Sequence, residues 1–492
     1  PIDWFWHRTR VFVCVLLDHL TCIANGLRSA KSGSYLSPLM HLHILGICGT
    51  FMAGIARIAR MQGHRVTGAD RSAYPPMSTQ LEALDIEVHP GYGPESLDAK
   101  PDLTIVGNAL TRGTPVIERL LRERLAYISG PAWLRKQLLD KRWVLSVAGT
   151  HGKTSTASAL AWILEYAGVN PGFLIGGVPG NFDVSARLGS DPYFVLEADE
   201  YDTAFFDKRA KFLHYPAKTF VINNLEHDHV DIYPDIGSIV RQFHHGVRIV
   251  PDDGRILAAS DAPYIDAVMA MGCWSEVQRF GMGVGTWQAR LLAPDGTQFE
   301  VFESDTALGH VSWSCQGTHN VKNALAAIAA AAHAGVRPTV AMRALRQFVP
   351  PARRQQRFAV ENGITIMLDF AHHPTAVSET LIALRHGCRG KLLAAIDPRS
   401  NTMRAGTHGD ALFRALQLAD QAWLFARPDL QWDAAGLCAR APDRLASVST
   451  DDELAAAVAA SGKPGDLLII MSNGDIESVA RAVQKRLQQE TG

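Results

Sequence analysis

Short apolar runs alternate with helical-period segments along most of the chain, and this alternation predicts parallel sheets covered by helices. From residue 41, HLHILG reads as a strand, 51–62 as a helix, HRVTGAD as a second strand, 79–84 as a short helix and LTIVGNA as a third strand. A second block begins with the strand WVLSVA, runs straight into a long helical segment, and continues with the apolar strands YFVLEAD and TFVINNL. Between 250 and 314 the pattern changes to short alternating runs such as QFEVFES between the turn signals DDG and PDG, which predicts antiparallel strands. An alanine-rich helix over 321–333 closes this block. A third block alternates again, with ITIMLDFA, a helix over 375–385, KLLAAIDP, a helix over 410–418, QAWLFA, DLLIIMSN and a terminal helix over Ile476–Gln489.

The expected fold is therefore α/β in three domains: a Rossmann-like domain over 40–140, a central phosphate-loop domain over 141–350 and a second Rossmann-like domain over 351–492. A length of 492 residues fits about three domains. Residues 1–39 read as an extension, expected to be poorly ordered: Arg8 and Arg10 precede the apolar run VFVCVLL, but Asp18 and His19 end it, no clean cleavage site follows, and Met40 directly precedes the first strand.

Composition narrows the functional classes. A net charge of -1 gives no electrostatic case for a nucleic acid or an anionic membrane, and no stretch is apolar enough for a transmembrane span. The seven cysteines are scattered and form no C-x-x-C pair, which suits reduced thiols in a cytoplasm. The sequence leaves the oligomeric state open.

The candidate chemistry concentrates in GTHGKTS, where an apolar strand meets Gly149, Thr150, His151, Gly152, Lys153, Thr154 and Ser155 at the start of a helix. Backbone N–H groups of such a turn form an anion nest, the helix N-terminus favours phosphate, Lys153 adds a positive charge, and the Thr154 hydroxyl suits Mg2+. The loop is shorter than G-x-x-x-x-G-K-[ST], which would need glycine at Val147. After the next strand come Glu197, Asp199, Glu200 and Asp202; Glu197, at the strand's end beside the loop, is the favoured metal ligand, and the other three stay open. NNLEHDHVDIY adds His229 among further acids and histidines, a set that suits zinc or a general base as readily as Mg2+. Asn320 reads as a helix cap, Asn323 as a candidate adenine contact, and Arg353 and Arg354 as a phosphate clamp or a solvated linker. Gly46, Gly49 and Asp70 form a glycine-rich first turn and a strand-end acid that alone suit a nicotinamide nucleotide as well as any other.

The order of GTHGKTS, EADEYD, NNLEHDHVD, GTHNVKNALAA, ARR, DFAHHPTA and DPRSNTM resembles the ATP-dependent Mur ligases of peptidoglycan synthesis, from Met40 to the end of the chain. GICGTFM, YPPMST, GNALTRG, GGVPGNF, EADEYDTAFFDKRAKF and PRSNTM resemble the branch that joins UDP-N-acetylmuramate to the murein tripeptide L-Ala-γ-D-Glu-meso-diaminopimelate, more than the branch that adds free L-alanine. The resemblance implies ATP and Mg2+ as co-substrate and cofactor, and Lys153, Glu197 and His229 as catalytic. Thr154, Glu197 and His229 would bind metal, while Asn323, Arg354, Asp369 and His372 would join the phosphate loop around ATP. It further implies UDP-sugar contacts at Gly46, Gly49, Asp70, Gly177 and Asn181, and peptide contacts at Arg399 and Asn401. Two departures stand out. IVRQFHHGVRIV lacks the lysine that several Mur ligases carbamylate to hold a second Mg2+, and Asp397-Pro398-Arg399-Ser400-Asn401 replaces the Asp-Asn-Pro-Arg of the diaminopimelate-adding member. An oxidoreductase built on the first domain would leave the phosphate loop unused, a folylpolyglutamate synthetase would lack that domain, and a GTPase or nucleotide switch would carry N-K-x-D.

Overall fold

The computed structural model describes residues 38–73 and 77–489, so the expectation for 1–39 lies outside the described residues for all but its last two positions. Among the described residues three large sheets follow one another, with a two-stranded ribbon of Asp202–Ala204 and Asp207–Ala210 interposed between strands of the second. In the first, five parallel strands take the order Glu87–Pro90, Arg65–Asp70, His41–Leu45, Leu103–Val106, Tyr127–Ser129. The first strand is central and buried from Leu42 to Leu45, as its unbroken apolar run requires. Its neighbour must be glycine at position 68, because a Cβ there would lie 2.5 Å from Ile47 Cδ1. That close approach seats the turn after the first strand beside Asp70, whose carboxylate accepts the Cys48 N–H at 2.9 Å.

The second sheet has ten strands, and Trp143–Ala148 lies between Tyr193–Glu197 and Ala217–Ile222, all three parallel. Beyond Ala217–Ile222 come Arg255–Ala259 and Glu276–Met282, also parallel, and then Trp287–Leu291, Gln298–Glu303 and Thr306–Ser312, which pair antiparallel. The expectation of some antiparallel strands over 250–314 is met in its second half, while the strands of the first half pair parallel. Helix Pro263–Ala270 supplies the crossover that a parallel pair needs. Helices Lys153–Tyr166 and Thr318–His333 pack together, and both bury small residues, among them Ala157, Ala161, Ala324 and Ala327. The second of these starts at Thr318 with Gly317 at the cap position, so Asn320 is not the cap. Asn320 sits in the first turn and donates its Nδ2 to the Gln316 carbonyl at 2.8 Å, because the left-handed Gly317 already ends the preceding loop.

The third sheet has the order Gln356–Glu361, Ile364–Asp369, Leu467–Met471, Leu392–Ile396, Gln421–Phe425, Leu445–Val448. Only the first strand is antiparallel to its neighbour. Its segment QRFAVE escapes the apolar-run criterion because an edge strand keeps half its surface in water. Apolar cores form on both faces: Leu384, Leu412 and Met471 on one, Leu468, Val479 and Val483 on the other. Among the described residues no helix is long and apolar enough to cross a membrane.

Leu468 is fully buried in a central strand, whereas Leu418 is 43% exposed at a helix end. Leu468→Ala is expected to destabilise the third sheet by about 2–5 kcal/mol. Leu418→Ala should change stability by no more than about 0.5 kcal/mol. Urea unfolding followed by circular dichroism measures both.

Candidate active site

The strand Trp143–Ala148 ends in the loop Gly149–Gly152, and helix Lys153–Tyr166 begins at once. Gly152 takes φ 77°, and a Cβ there would meet Asn323 Oδ1 at 2.4 Å, so both backbone conformation and space demand glycine. Asn224, just past the neighbouring strand, fixes the loop: its Oδ1 accepts the His151 N–H at 2.7 Å and its Nδ2 donates to the His151 carbonyl at 3.1 Å. The first-turn N–H groups of a helix lack intrahelical partners, and here Gly152, Lys153, Thr154 and Ser155 line the cleft.

Lys153 and Thr154 turn toward the strand Tyr193–Glu197. The Lys153 ammonium donates to Gly149 O at 2.8 Å and to Glu200 Oε2 at 2.9 Å. Thr154 Oγ1 donates to Glu197 Oε1 at 2.7 Å, and the other Glu197 oxygen accepts the Gly176 N–H at 2.6 Å. Burial, followed by the charge of Asp199, raises the pKa of Glu197 above the usual carboxylate range. Glu200 behaves oppositely. It is 2% exposed, and burial opposes its charge, yet Lys153 on one oxygen and His229 on the other bring its carboxyl down to about 2.

His229 Nε2 lies 2.9 Å from Glu200 Oε1, and its ring packs against Tyr201 at a tilt of 43° with centroids 4.0 Å apart. Burial lowers its pKa, but Glu200 and Asp228 outweigh that and leave it raised. Its left-handed φ of 56° is a strained conformation for a non-glycine residue, held here by the Asp228 carboxylate on its own N–H at 2.7 Å.

The opposite wall comes from the chain after 350. Arg354 stacks its guanidinium over Phe370 at 4.8 Å and reaches Thr154 Oγ1 at 3.5 Å. Asp369 accepts the N–H groups of Gln355 and Ala371 at 2.8 and 2.7 Å, and burial raises its pKa despite Arg354. His372 is neutral, since burial draws its pKa to about 4.

One cavity of about 2240 Å3 runs between all three sheets. Its lining includes Gly46, Gly49 and Asp70 from the first; the phosphate loop, Gly177, Glu197, His229 and Asn323 from the second; and Arg354, Asp369 and His372 from the third. Four of the candidates from sequence lie off this lining, the first being Gly149, which is buried behind the loop with its carbonyl on Lys153. Asn181 spends both ends of its amide on the backbone of Gln347 and Val349, at 2.9 and 2.8 Å. Arg399 pairs with Asp397 at 3.0 Å, and Asn401 donates to Asp231 at 2.9 Å. Glu200 was not singled out among the four acids of EADEYD, because only the fold decides which of them points at Lys153. Glu226 is one of several acids and histidines in NNLEHDHVDIY, and His373 is not singled out within DFAHHPTA; nothing local in either segment brings the two 3.3 Å apart across the join of the second and third sheets.

A doubly wound sheet with a phosphate loop, walled on both sides by further α/β sheets, defines a nucleotide-dependent enzyme of the three-domain kind. The family descriptions "Mur ligase family, catalytic domain", "Mur ligase middle domain" and "Mur ligase, glutamate ligase domain" match residues 41–142, 147–331 and 353–474 in turn. The UDP-N-acetylmuramate--L-alanyl-gamma-D-glutamyl-meso-2,6-diaminoheptandioate ligase of Escherichia coli is 50% identical over 438 residues, covering 88% of this chain and 95% of that protein. The crystal structure of a murein peptide ligase from Psychrobacter arcticus superimposes with a TM-score of 0.72 at 42% identity, over 91% of this chain and 98% of that one. A UDP-N-acetylmuramate--L-alanine ligase of Syntrophomonas wolfei is 32% identical over 77% of this chain and 81% of its own length. The chain belongs to the Mur ligase family.

Glu200→Gln should remove the carboxylate that pairs buried Lys153 with His229, leaving the longer contact of Lys153 to Asp199 at 3.8 Å and the charge of Asp228 near His229, and cost roughly 3–5 kcal/mol of stability. Because the folded pKa of Glu200 lies below its ordinary 4.5, its contribution is complete above that value and is lost as pH falls from 4.5 toward about 2. The variant's acid-unfolding curve should lack that part of the pH dependence; a curve parallel to wild type would contradict the assignment.

Proposed function

We propose that this chain joins the lactyl carboxylate of UDP-N-acetylmuramate to the amino group of L-Ala-γ-D-Glu-meso-diaminopimelate, with ATP converted to ADP and phosphate, in peptidoglycan recycling. The observation that carries the reading is the 50% identity to the E. coli ligase over 95% of that protein. The carboxylate attacks the γ-phosphate to give an acyl phosphate, and the alanine amine then displaces phosphate from the acyl carbon.

Carboxylate and triphosphate repel each other, so positive charge must be in place before they meet. Lys153 supplies it at the loop, held by Glu200 and the Gly149 carbonyl. Arg354 supplies more from the third-domain wall, beside Asn323, Asp369 and His372 as further nucleotide contacts. Thr154 Oγ1 and Glu197 Oε1, adjacent hard oxygens on the cleft, suit Mg2+, whereas His229 would bring a nitrogen that is paired with Glu200. When bound there, Mg2+ would offset phosphate charge during transfer. The walls from the first and third sheets keep bulk water from an acyl phosphate that it would hydrolyse. Gly46, Gly49 and Asp70, with Gly177 across the cleft, serve the UDP-sugar, while Asn181 acts from outside the cleft by tying down the backbone of Gln347 and Val349. Arg399 and Asn401 serve the peptide, Arg399 by turning from Asp397 toward a carboxylate. A cytoplasmic setting supplies both nucleotides.

Incubation with ATP, Mg2+, UDP-N-acetylmuramate and either acceptor, read by mass spectrometry, is expected to give the tripeptide adduct. Ligation of free L-alanine instead would transfer the assignment to the alanine-adding branch, which the 32% identical relative represents. Lys153→Met should lower kcat by at least about 100-fold, with the fold intact by circular dichroism.

A further inference from the structure

Apart from the acids around Lys153, one cluster of side chains spans the join between the second and third sheets. His151 Nε2 comes from the phosphate loop, Glu226 Oε2 from the loop after strand Ala217–Ile222, and His373 Nδ1 from the cap of helix Pro374–Gly387. The separations are 3.2 Å for His151–His373, 3.7 Å for His151–Glu226 and 3.3 Å for His373–Glu226, and each residue uses the same atom in both of its contacts. Tetrahedral Zn2+, with bonds of about 2.0–2.2 Å to nitrogen and oxygen, sets its ligand atoms roughly 3.3–3.6 Å apart. The triangle brackets that spacing.

Hydrogen bonds alone leave this triangle short of donors. His373 caps its helix through Nδ1. Its Nδ1 accepts the Thr375 N–H at 3.4 Å, which requires a lone pair on that nitrogen. The same lone pair sits 3.3 Å from a Glu226 oxygen, one acceptor against another. Only the Thr375 hydroxyl, at 2.7 Å from Glu226, and at most one His151 ring proton relieve the contact. His373 is 5% exposed, and its Nε2 has no hydrogen-bond partner, while His408 packs edge-on against the ring at 4.7 Å. A cation at the centre converts three facing acceptors into ligands, at the loss of one long contact from Thr375.

We propose that His151, Glu226 and His373 form a site for a borderline divalent transition metal, best suited to Zn2+, which pins the third domain to the phosphate loop. Two nitrogens and one oxygen disfavour Mg2+ and favour zinc. The site is distinct from the oxygen pair of Thr154 and Glu197. His151, Glu226 and Thr375 line the cavity, so a water or a phosphate oxygen has access to the fourth position. None of this depends on which acceptor the enzyme ligates.

The test uses the full chain without nucleotide, in excess Mg2+, with Co2+ as a spectroscopic probe and Zn2+ as competitor. The expected result is the intense visible absorption of a four-coordinate Co2+ site, saturating at one ion and displaced by equimolar Zn2+. His373→Asn retains a side chain favoured at a helix cap but removes the imidazole. It should weaken Zn2+ binding by roughly 100-fold or more, since even outer-sphere partners of a metal ligand are worth 10–100-fold. Glu226→Gln should do the same, and decides the matter if the first variant melts early. Absence of the four-coordinate spectrum, near-ultraviolet thiolate bands, or unchanged affinity in the folded variants would overturn the proposal.

Discussion

A buried carboxylate between two buried cations organises this cleft: Glu200 accepts from Lys153 on one oxygen and lies against His229 with the other. Each of these groups alone would be too costly to take from water, and together they are tolerated only because the pairing is close and bidentate. The arrangement also fixes chemistry. With Lys153 drawn to Glu200 and Gly149 O, Thr154 is left to meet Glu197, so the loop presents a positive charge and a pair of hard oxygens side by side.

Such pairing depends on the order of strands in the second sheet. Trp143–Ala148, Tyr193–Glu197 and Ala217–Ile222 run parallel and adjacent, and therefore deliver the phosphate loop, the acids and the Asn223–His229 segment to the same sheet edge. The flanking sheets turn that edge into an enclosed site. Gly68 allows the first turn of the first sheet to close on Asp70, and Phe370 carries Arg354 to within 3.5 Å of Thr154. A cavity reaching all three of these sheets is what a reaction between a nucleotide sugar, ATP and a peptide needs, since the γ-phosphate and then the amine must both reach one carboxyl group.

Much of this was legible in residue order. GTHGKTS between an apolar strand and a helical run specifies a phosphate loop from local physics, because a left-handed glycine and a helix start are both near-neighbour properties. The terminal helix Ile476–Gln489 follows from its apolar spacing, and Glu197 from its place at a strand end. Polar edge strands and long-range pairings were not legible. Gln356–Glu361 lacks an apolar run, Arg255–Ala259 and Glu276–Met282 pair parallel through a helix that the sequence reading of this stretch did not single out, and Asn320 lies one turn inside the helix it was read as capping.

The sequence by itself determined the three-block α/β order, the phosphate loop and the family, since each is written in contiguous residues with short-range physical causes. Tertiary structure alone decided which of Glu197, Asp199, Glu200 and Asp202 neutralises Lys153, that Asn181 ties down backbone near residue 348, and that His151, Glu226 and His373 converge across 222 positions of chain. Charge and hydrogen bonding act over a few ångströms of space, whatever the separation along the chain. Their partners are therefore fixed only when the sheets are assembled.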